Sequence, residues 1–308
     1  MQKPALTAIT ATLAFSLALS AGAQDINQGL LKFQSGDYAG ALADLMPFAE
    51  QGDSTAQNLV GAIYANGRGV VRDNVAAAAW ITLAAKQEHT LAQFNLAGMY
   101  ERGQGVVQNF AEAARWYARA AHVGHAAAQF RLGSMYEQGA GVEQNFAEAV
   151  NWYRRSAEQN FAEAQASLGV MYTSGRGVGQ NHVDAVIWFR RAAEQGFARA
   201  QYNLGVMYGD GLGIEQDSAA AATWYRRAAM QGYVSAQYSL GVQYFRGTGV
   251  PRDSVLAYAW VDVAAANGHE DAFRVRNTIA GALSDTDLAT AEQIALRCRQ
   301  QGYEFCAR

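Results

Sequence analysis

The sequence predicts an all-α fold, a solenoid of stacked helical hairpins, and three observations carry that reading. The 308-residue chain repeats an Ala-Gln pair at Ala56, Ala92, Ala128, Ala164, Ala200 and Ala236, always 36 residues apart. All six tryptophans occupy one repeat position: Trp80, Trp116, Trp152, Trp188, Trp224 and Trp260. A Gly-x-Gly recurs in the same phase, with first glycines at Gly67, Gly103, Gly139, Gly175, Gly211 and Gly247. Strict self-similarity at a period between 20 and 50 residues marks a solenoid, in which each unit buries its faces against its neighbours.

The copy from residue 164 to 199 shows why each half of the unit is helical. Ala164, Leu168, Met171, Tyr172 and Gly175 fall at i, i+4, i+7, i+8 and i+11, one apolar stripe of a 3.6-residue helix. Gly175-Arg176-Gly177 ends that helix, because glycine takes the left-handed conformation that a helix C-terminus favours. Val178 is expected to fold back and close the turn, and every copy has an apolar residue there. Asn181 stands where a second helix needs its N-cap; Asp73, Asn109, Asn145, Asp217 and Asp253 stand at the same position. The second helix buries Ala185, Trp188, Phe189, Ala192 and Ala193 and stops at Gln195-Gly196. Gly169, Ala192 and Ala193 mark close approaches of backbone, and the Trp is expected to be the large knob packed there. Its removal should then cost about 3–5 kcal/mol.

These six in-register copies of Ala-Gln, Leu-Gly, Tyr, Gly-x-Gly-Val, the Asn/Asp cap, Trp and the Ala pair resemble the Sel1-like repeat, a relative of the tetratricopeptide repeat. The resemblance covers residues 53 to about 275. It implies a right-handed α-solenoid of six full 36-residue hairpins with terminal caps. Departures sit in the end copies: Val60-Gly61 replaces Leu-Gly, Gln243 replaces Met, and Trp80 and Trp260 lack the following Tyr or Phe.

In chain order, residues 1–23 read as a signal peptide. Lys3 gives the positive n-region, Ala5 to Leu19 is apolar and uncharged, and Ala21-Gly22-Ala23 is a cleavage site. The cut is expected after Ala23, releasing a periplasmic or secreted protein that begins at Gln24 and does not insert in the membrane. Residues 24–52 form an N-terminal cap, with Ser35-Gly36 joining two helices directly and Asp44 at the Trp position. Residues 53–268 hold the six repeats. Residues 269–308 form a helical C-terminal cap: Ala272 begins one helix, Ser284-Asp285 caps another, and Gly302 ends it. The two cysteines, Cys298 and Cys306, lie there, and in an exported chain they are expected to form a disulfide; two free thiols are the alternative.

The formal net charge of −3, one unit more negative without Lys3, offers no footprint for nucleic acid or anionic lipid. The Gly-x-Gly turns follow helices, whereas phosphate-cradling loops follow strands and open helices. His122 and His125 have a metal-like spacing, yet His89, His125 and His269 replace Phe161, Phe197 and Tyr233 at a position that leads into a helix. No cofactor or metal is expected. Arg154-Arg155, Arg190-Arg191 and Arg226-Arg227 read as a solvated helix face, with Arg154 near Glu158 and Arg190 near Glu194. Some cysteine-rich relatives are labelled β-lactamases, but this chain lacks their paired cysteines and any Ser-x-x-Lys. It is read as a non-enzyme.

The resemblance implies an adaptor that binds another protein, such as a membrane sensor or an envelope-complex component. A carbohydrate or cell-wall binding module, or a polysaccharide-assembly scaffold, is the alternative; a hydrolase comes third. In resembling solenoids the first helices line the concave surface. The positions two residues after each opening Ala carry Phe94, Phe130, Tyr202 and Tyr238, with Arg131 and Asn203 beside them. These six residues are the candidate partner-binding site. The same rings could instead pack sideways against neighbouring helices.

Overall fold

A computed structural model describes residues 26–306; the expected signal peptide at 1–23, its expected cleavage site and Gln24 lie outside the described residues. The chain divides into two compact units, one ending at Trp116 and one beginning at Tyr117. The first holds α1 (Ile26–Ser35), α2 (Tyr38–Glu50), α3 (Ser54–Asn66), α4 (Asn74–Lys86), α5 (Thr90–Arg102) and the start of α6 (Phe110–His122). The second continues through α7 (Ala126–Gln138), α8 (Phe146–Glu158), α9 (Ala162–Ser174), α10 (His182–Glu194), α11 (Ala198–Asp210) and α12 (Ser218–Met230). It closes with α13 (Val234–Arg246), α14 (Ser254–Ala266), α15 (Ala272–Ala280), α16 (Asp285–Gln301) and a 3-10 turn, Tyr303–Cys306. Among the described residues there is no strand, and in each unit consecutive hairpins stack as a solenoid.

The expected caps are all made. Asp73, Asn109, Asn145, Asn181, Asp217 and Asp253 each accept a backbone N–H from the first turn of the second helix. In the turn before them the two glycines have separate jobs. Gly175 is left-handed at φ 71°, and its N–H closes the first helix on the Met171 carbonyl at 2.9 Å. Gly177 is also at positive φ, and a Cβ there would strike the Phe146 carbonyl at the start of the preceding hairpin's second helix. Gly213 meets His182 in the same way, and Gly249 meets Ser218. Gly-x-Gly thus combines a helix stop with a backbone contact between repeats. Val178 does fold back onto the core beside Phe146.

The knob set against the glycine is not the Trp. Trp152 and Trp260 are buried, but Trp80, Trp116, Trp188 and Trp224 are only half-buried, whereas the next residue is buried in every copy: Ile81, Tyr117, Tyr153, Phe189, Tyr225 and Val261. A Cβ on Gly169 would lie 2.6 Å from the Phe189 ring, and one on Gly205 would lie 2.7 Å from the Tyr225 ring. The first helix's glycine therefore receives the residue after Trp, and the Trp turns to the flank of the hairpin. There the second arginine of each pair stacks on it: Arg155, Arg191 and Arg227 lie 4.7, 4.7 and 4.5 Å from the ring centroids of Trp152, Trp188 and Trp224. The first arginine reaches the next repeat instead. Arg154, Arg190 and Arg226 donate to the hydroxyls of Tyr172, Tyr208 and Tyr244 at 3.2, 3.1 and 2.7 Å. The arginine pairs thus serve ring stacking and repeat-to-repeat bonding, beyond the solvated face expected of them.

The Gln of Ala-Gln pins consecutive hairpins together. Gln165 is 1% exposed; its Nε2 donates to the Ala157 carbonyl at 3.1 Å, and its Oε1 accepts from Gln195 Nε2 at 2.7 Å. Gln57, Gln129, Gln201 and Gln237 likewise donate to the carbonyls of Ala49, Ala121, Ala193 and Ala229 of the preceding hairpin, and each also bonds the end of its own hairpin, at Gln87, Gln159, Gln231 and Asn267. At the C-terminal end, the buried Asp262 of α14 pairs with Arg276 of α15 at 3.1 Å and Arg299 of α16 at 3.3 Å. Cys298 and Cys306 are joined by a disulfide, both sulfurs buried.

Candidate functional site

Concavities form between the first helices of consecutive hairpins, and another, of about 540 Å³, lies over the turn before α12 beside Tyr208, Ile214 and Glu215. In the first unit a cleft of about 340 Å³ opens between α3 and α5, bordered by Ala62, Asn66, Asn95 and Arg102. In the second unit a cleft of about 170 Å³ between α9 and α11 is apolar, walled by Val170, Phe189, Val206 and Met207, with Asn203 at its side. The next, of about 230 Å³ between α11 and α13, is polar and includes Tyr225, Tyr238, Ser239 and Gln243. Small-molecule sites usually run from about 300 to 1,000 Å³ and enclose their ligand. The α9–α11 and α11–α13 clefts fall below that range and are of a size to accept individual side chains or single rings, and the larger concavities are open rather than enclosing.

The geometry follows from the two helices' unequal contacts. A second helix is covered by the first helices on both sides of it in sequence, so its inner face is fully buried. A first helix keeps a side turned away from that core. Its positions six and nine residues after the opening Ala, such as Val170 and Thr173 or Val206 and Gly209, are half-buried and border the clefts. These two sets vary among copies, so each cleft has its own chemistry on a common frame.

The candidate rings are tied into that frame rather than free. Phe130 is half-buried between Tyr153 and Phe161, with ring centroids 5.7 and 5.6 Å away. Tyr202 lies between Tyr225 and Tyr233 at 5.6 and 5.2 Å. Tyr238 stacks on His269 at 4.1 Å and 15° while also lining the polar cleft. Phe94 is half-buried on α5, and Arg131 is exposed on α7. Of the six, Asn203 and Tyr238 therefore reach clefts, Arg131 reaches solvent, and Phe130 and Tyr202 present only part of a packed ring. Tyr202 and Tyr238 border one shared core cluster. The position equivalent to these rings holds the buried Asn58 and Ala166 in other copies, so its main role is packing.

Two electrostatic features shape this face. The Tyr153 hydroxyl donates to Glu137 Oε2 at 2.7 Å, and Arg176 pairs with Glu137 at 3.2 Å. Burial, then the Glu137 carboxylate, hold that phenol well above its ordinary range, so it stays a donor. The histidines of the first-helix positions act structurally. His89 and His125 accept the N–H of Ala92 and Ala128 at 3.2 Å through Nδ1, replacing the Asp53 cap of the first repeat. Burial lowers the His125 pKa below its ordinary value, which suits a neutral acceptor. His122 packs edge-on against Trp152.

Sequence reasoning missed Gln243 and Gly209 as features of a cleft. A signal was present for Gln243, where the four preceding copies have Met99, Met135, Met171 and Met207, but not for Gly209, whose column varies from Ala65 and Glu101 to Thr173 and Phe245.

The Sel1 repeat family matches six consecutive segments, 54–89, 90–125, 126–161, 162–197, 198–233 and 234–269. A search of curated proteins returns no match. Among solved structures, the chain is similar to a Sel1 repeat protein from Oxalobacter formigenes, at 34% identity and TM-score 0.72, over 79% of this chain and 97% of that one. It is also similar to c5321, a protective antigen of uropathogenic Escherichia coli strains with an SLR fold. There the identity is 33% and the TM-score 0.60, over 92% of this chain and 69% of that one. With the glycine turns, caps and stacked hairpins in place across every matched segment, the chain belongs to the Sel1 repeat family.

Proposed function

We propose that this protein is a non-catalytic, periplasmic scaffold that docks a partner protein on the face formed by its first helices. Sel1 repeats generally mediate protein–protein interaction, and proteins built from them are typically non-catalytic. The observation that carries the choice of face is the row of clefts between α9, α11 and α13, each walled by variable positions on an invariant frame. Interface anchors are few, and they seat in pockets of this kind. Asn203 and Tyr238 are the inner contacts of the proposed surface, and Arg131 is an outer one; Phe94, Phe130 and Tyr202 support them by holding the first helices in place. Export is supported by the leader at residues 1–23 and by the Cys298–Cys306 disulfide, which an oxidising compartment maintains. Among the described residues no helix is long and apolar enough to cross a membrane. The reading is tested with a photo-crosslinking amino acid placed in living cells at position 203 or 131 of the first helices, or at 187 or 191 of a second helix. Adducts confined to 203 and 131 are expected. Adducts confined to 187 and 191 would place the partner on the opposite flank and overturn it.

A further inference from the structure

The polar cleft between α11 and α13 differs from the other first-helix clefts at two positions. In the third repeat the position of Gly209 holds Glu137, which accepts the hydroxyl of Tyr153. In the fifth repeat Gly209 replaces that glutamate, and the Tyr225 side chain instead lines the cleft. A Cβ at Gly209 would sit 3.6 Å from Tyr225 Oη and 3.8 Å from Ala221 Cβ, so the backbone leaves ordinary room for a side chain that the sequence omits. Opposite it, Gln243 replaces the methionine of the four preceding copies, and its Oε1 is buried with no hydrogen-bond donor from the protein. A buried carbonyl without a donor is uncommon in folded proteins, and each one calls for an explanation.

We infer that this cleft binds one neutral, hydroxyl-rich ring: a saccharide unit. The lining combines the Gln243 side chain, hydroxyls on Tyr225 and Ser239 that both donate and accept, and the opposite charges of Asp210 and Arg246, with the Gln243 Oε1 enclosed beneath it. Sugar hydroxyls also donate and accept, so they can satisfy such a mixed set. A carboxylate and a guanidinium in one cleft favour a ligand with no net charge. The volume, about 230 Å³, suits one ring. Tyr238, fixed by its stack on His269, supplies a flat apolar wall for the C–H face of that ring. An extended peptide is the poorer fit, because the walls are helices whose backbone groups are already bonded and cannot pair with a second main chain. The inference assigns this one cleft and Tyr238 to a saccharide and leaves the protein-docking reading on the α9–α11 cleft and Arg131, so crosslinking at 203 and 131 and the sugar titrations can fail separately.

The test uses the mature chain, residues 24–308, with maltotriose, cellotriose, chitotriose and free glucose as probes in calorimetric titrations and saturation-transfer NMR. At least one trisaccharide is expected to bind. Gly209→Glu rebuilds the tyrosine–glutamate pair of the third repeat inside the cleft, and Gln243→Met restores the residue of the other copies. Each should weaken saccharide binding at least tenfold without lowering the Tm, since both restore chemistry the array already tolerates. Binding of glucose as tight as that of the trisaccharide would point to a free sugar; preference for the trisaccharide would point to a glycan chain. Absence of binding by every probe, wild-type affinity in both variants, or displacement of the sugar by an N-acetylated tripeptide at lower concentration would overturn the inference.

Discussion

Replacing Gln165 with methionine tests the cohesion of the array, because the substitution removes hydrogen bonds while leaving volume and helix propensity nearly unchanged. In the wild type the Gln165 side chain donates to the Ala157 carbonyl and to Asn160 Oδ1, each at 3.1 Å, and accepts from Gln195 Nε2 at 2.7 Å. Each such bond contributes about 0.5–1.5 kcal/mol net, and an orphaned buried partner adds to the loss. The Ala157 carbonyl keeps the Asn160 backbone N–H at 3.0 Å, so the variant removes its second bond without orphaning it. Gln195 and Asn160 are exposed and can turn to solvent. The expected destabilisation is therefore about 1–3 kcal/mol, from the buried side chain's own hydrogen bonds. Gln195→Ala breaks the same rung from its exposed end and should cost less than about 1 kcal/mol. Urea unfolding followed by circular dichroism reads both. A Gln165→Met variant within 0.5 kcal/mol of wild type, or one no worse than Gln195→Ala, would refute the claim that this glutamine joins hairpins.

Four further outcomes follow from the same geometry. Gly177→Ala should destabilise more than Gly175→Ala: both strain a left-handed residue by about 1–2 kcal/mol, but only the first drives a Cβ into the neighbouring repeat's backbone; urea midpoints decide it. Phe189→Ala should cost about 3–5 kcal/mol and Trp188→Ala distinctly less, the reverse of what side-chain size alone suggests, because only Phe189 is enclosed. The burial-lowered pKa of His125 gives stability that is complete above the unfolded value near 6.5 and is lost as pH falls through the lower folded value; His125→Asp, which copies the Asp53 cap, should flatten the Tm between pH 7.5 and 5. Intact mass should show a start at Gln24 and a bridge between Cys298 and Cys306, and reducing that short loop should lower the stability of the C-terminal cap by about 2–3 kcal/mol.

The parts legible in the sequence were those written in backbone chemistry. Glycines that must be left-handed and Asn or Asp that must cap a helix have few substitutes, so Gly175 and Asn181 announce helix ends directly. The disulfide partners were legible because only two cysteines exist and Gly302 lies between them. Identifying the knob was harder. Residues 188 and 189 differ by only 100° around a helix, and both are large and aromatic. Hydrophobic patterning places both inward; only the position of Gly169 on the facing helix shows that Phe189 enters and Trp188 turns aside. Gln165 was visible as a repeat but not as a tie, because its two partners lie 8 and 30 residues away on different hairpins. The same holds for Asp262, which meets Arg276 and Arg299 only after α15 and α16 fold back on α14. For the candidate site, the face was legible and the roles of its rings were not. Phe130 and Tyr202 occupy the outward arc of a helical wheel, yet aromatic residues from the adjoining second helix and the next repeat close over them.

The affinity of the captured partner for two charge variants tests the docking face most directly. Arg131→Glu combined with Asn203→Arg alters the first-helix side of the second unit, whereas Arg191→Glu alters the flank where that arginine stacks on Trp188. With each variant's Tm confirmed, calorimetry should show the first-helix variant weakened tenfold or more and the flank variant unchanged. Unchanged binding by the first-helix variant together with a tenfold loss in Arg191→Glu would contradict the account.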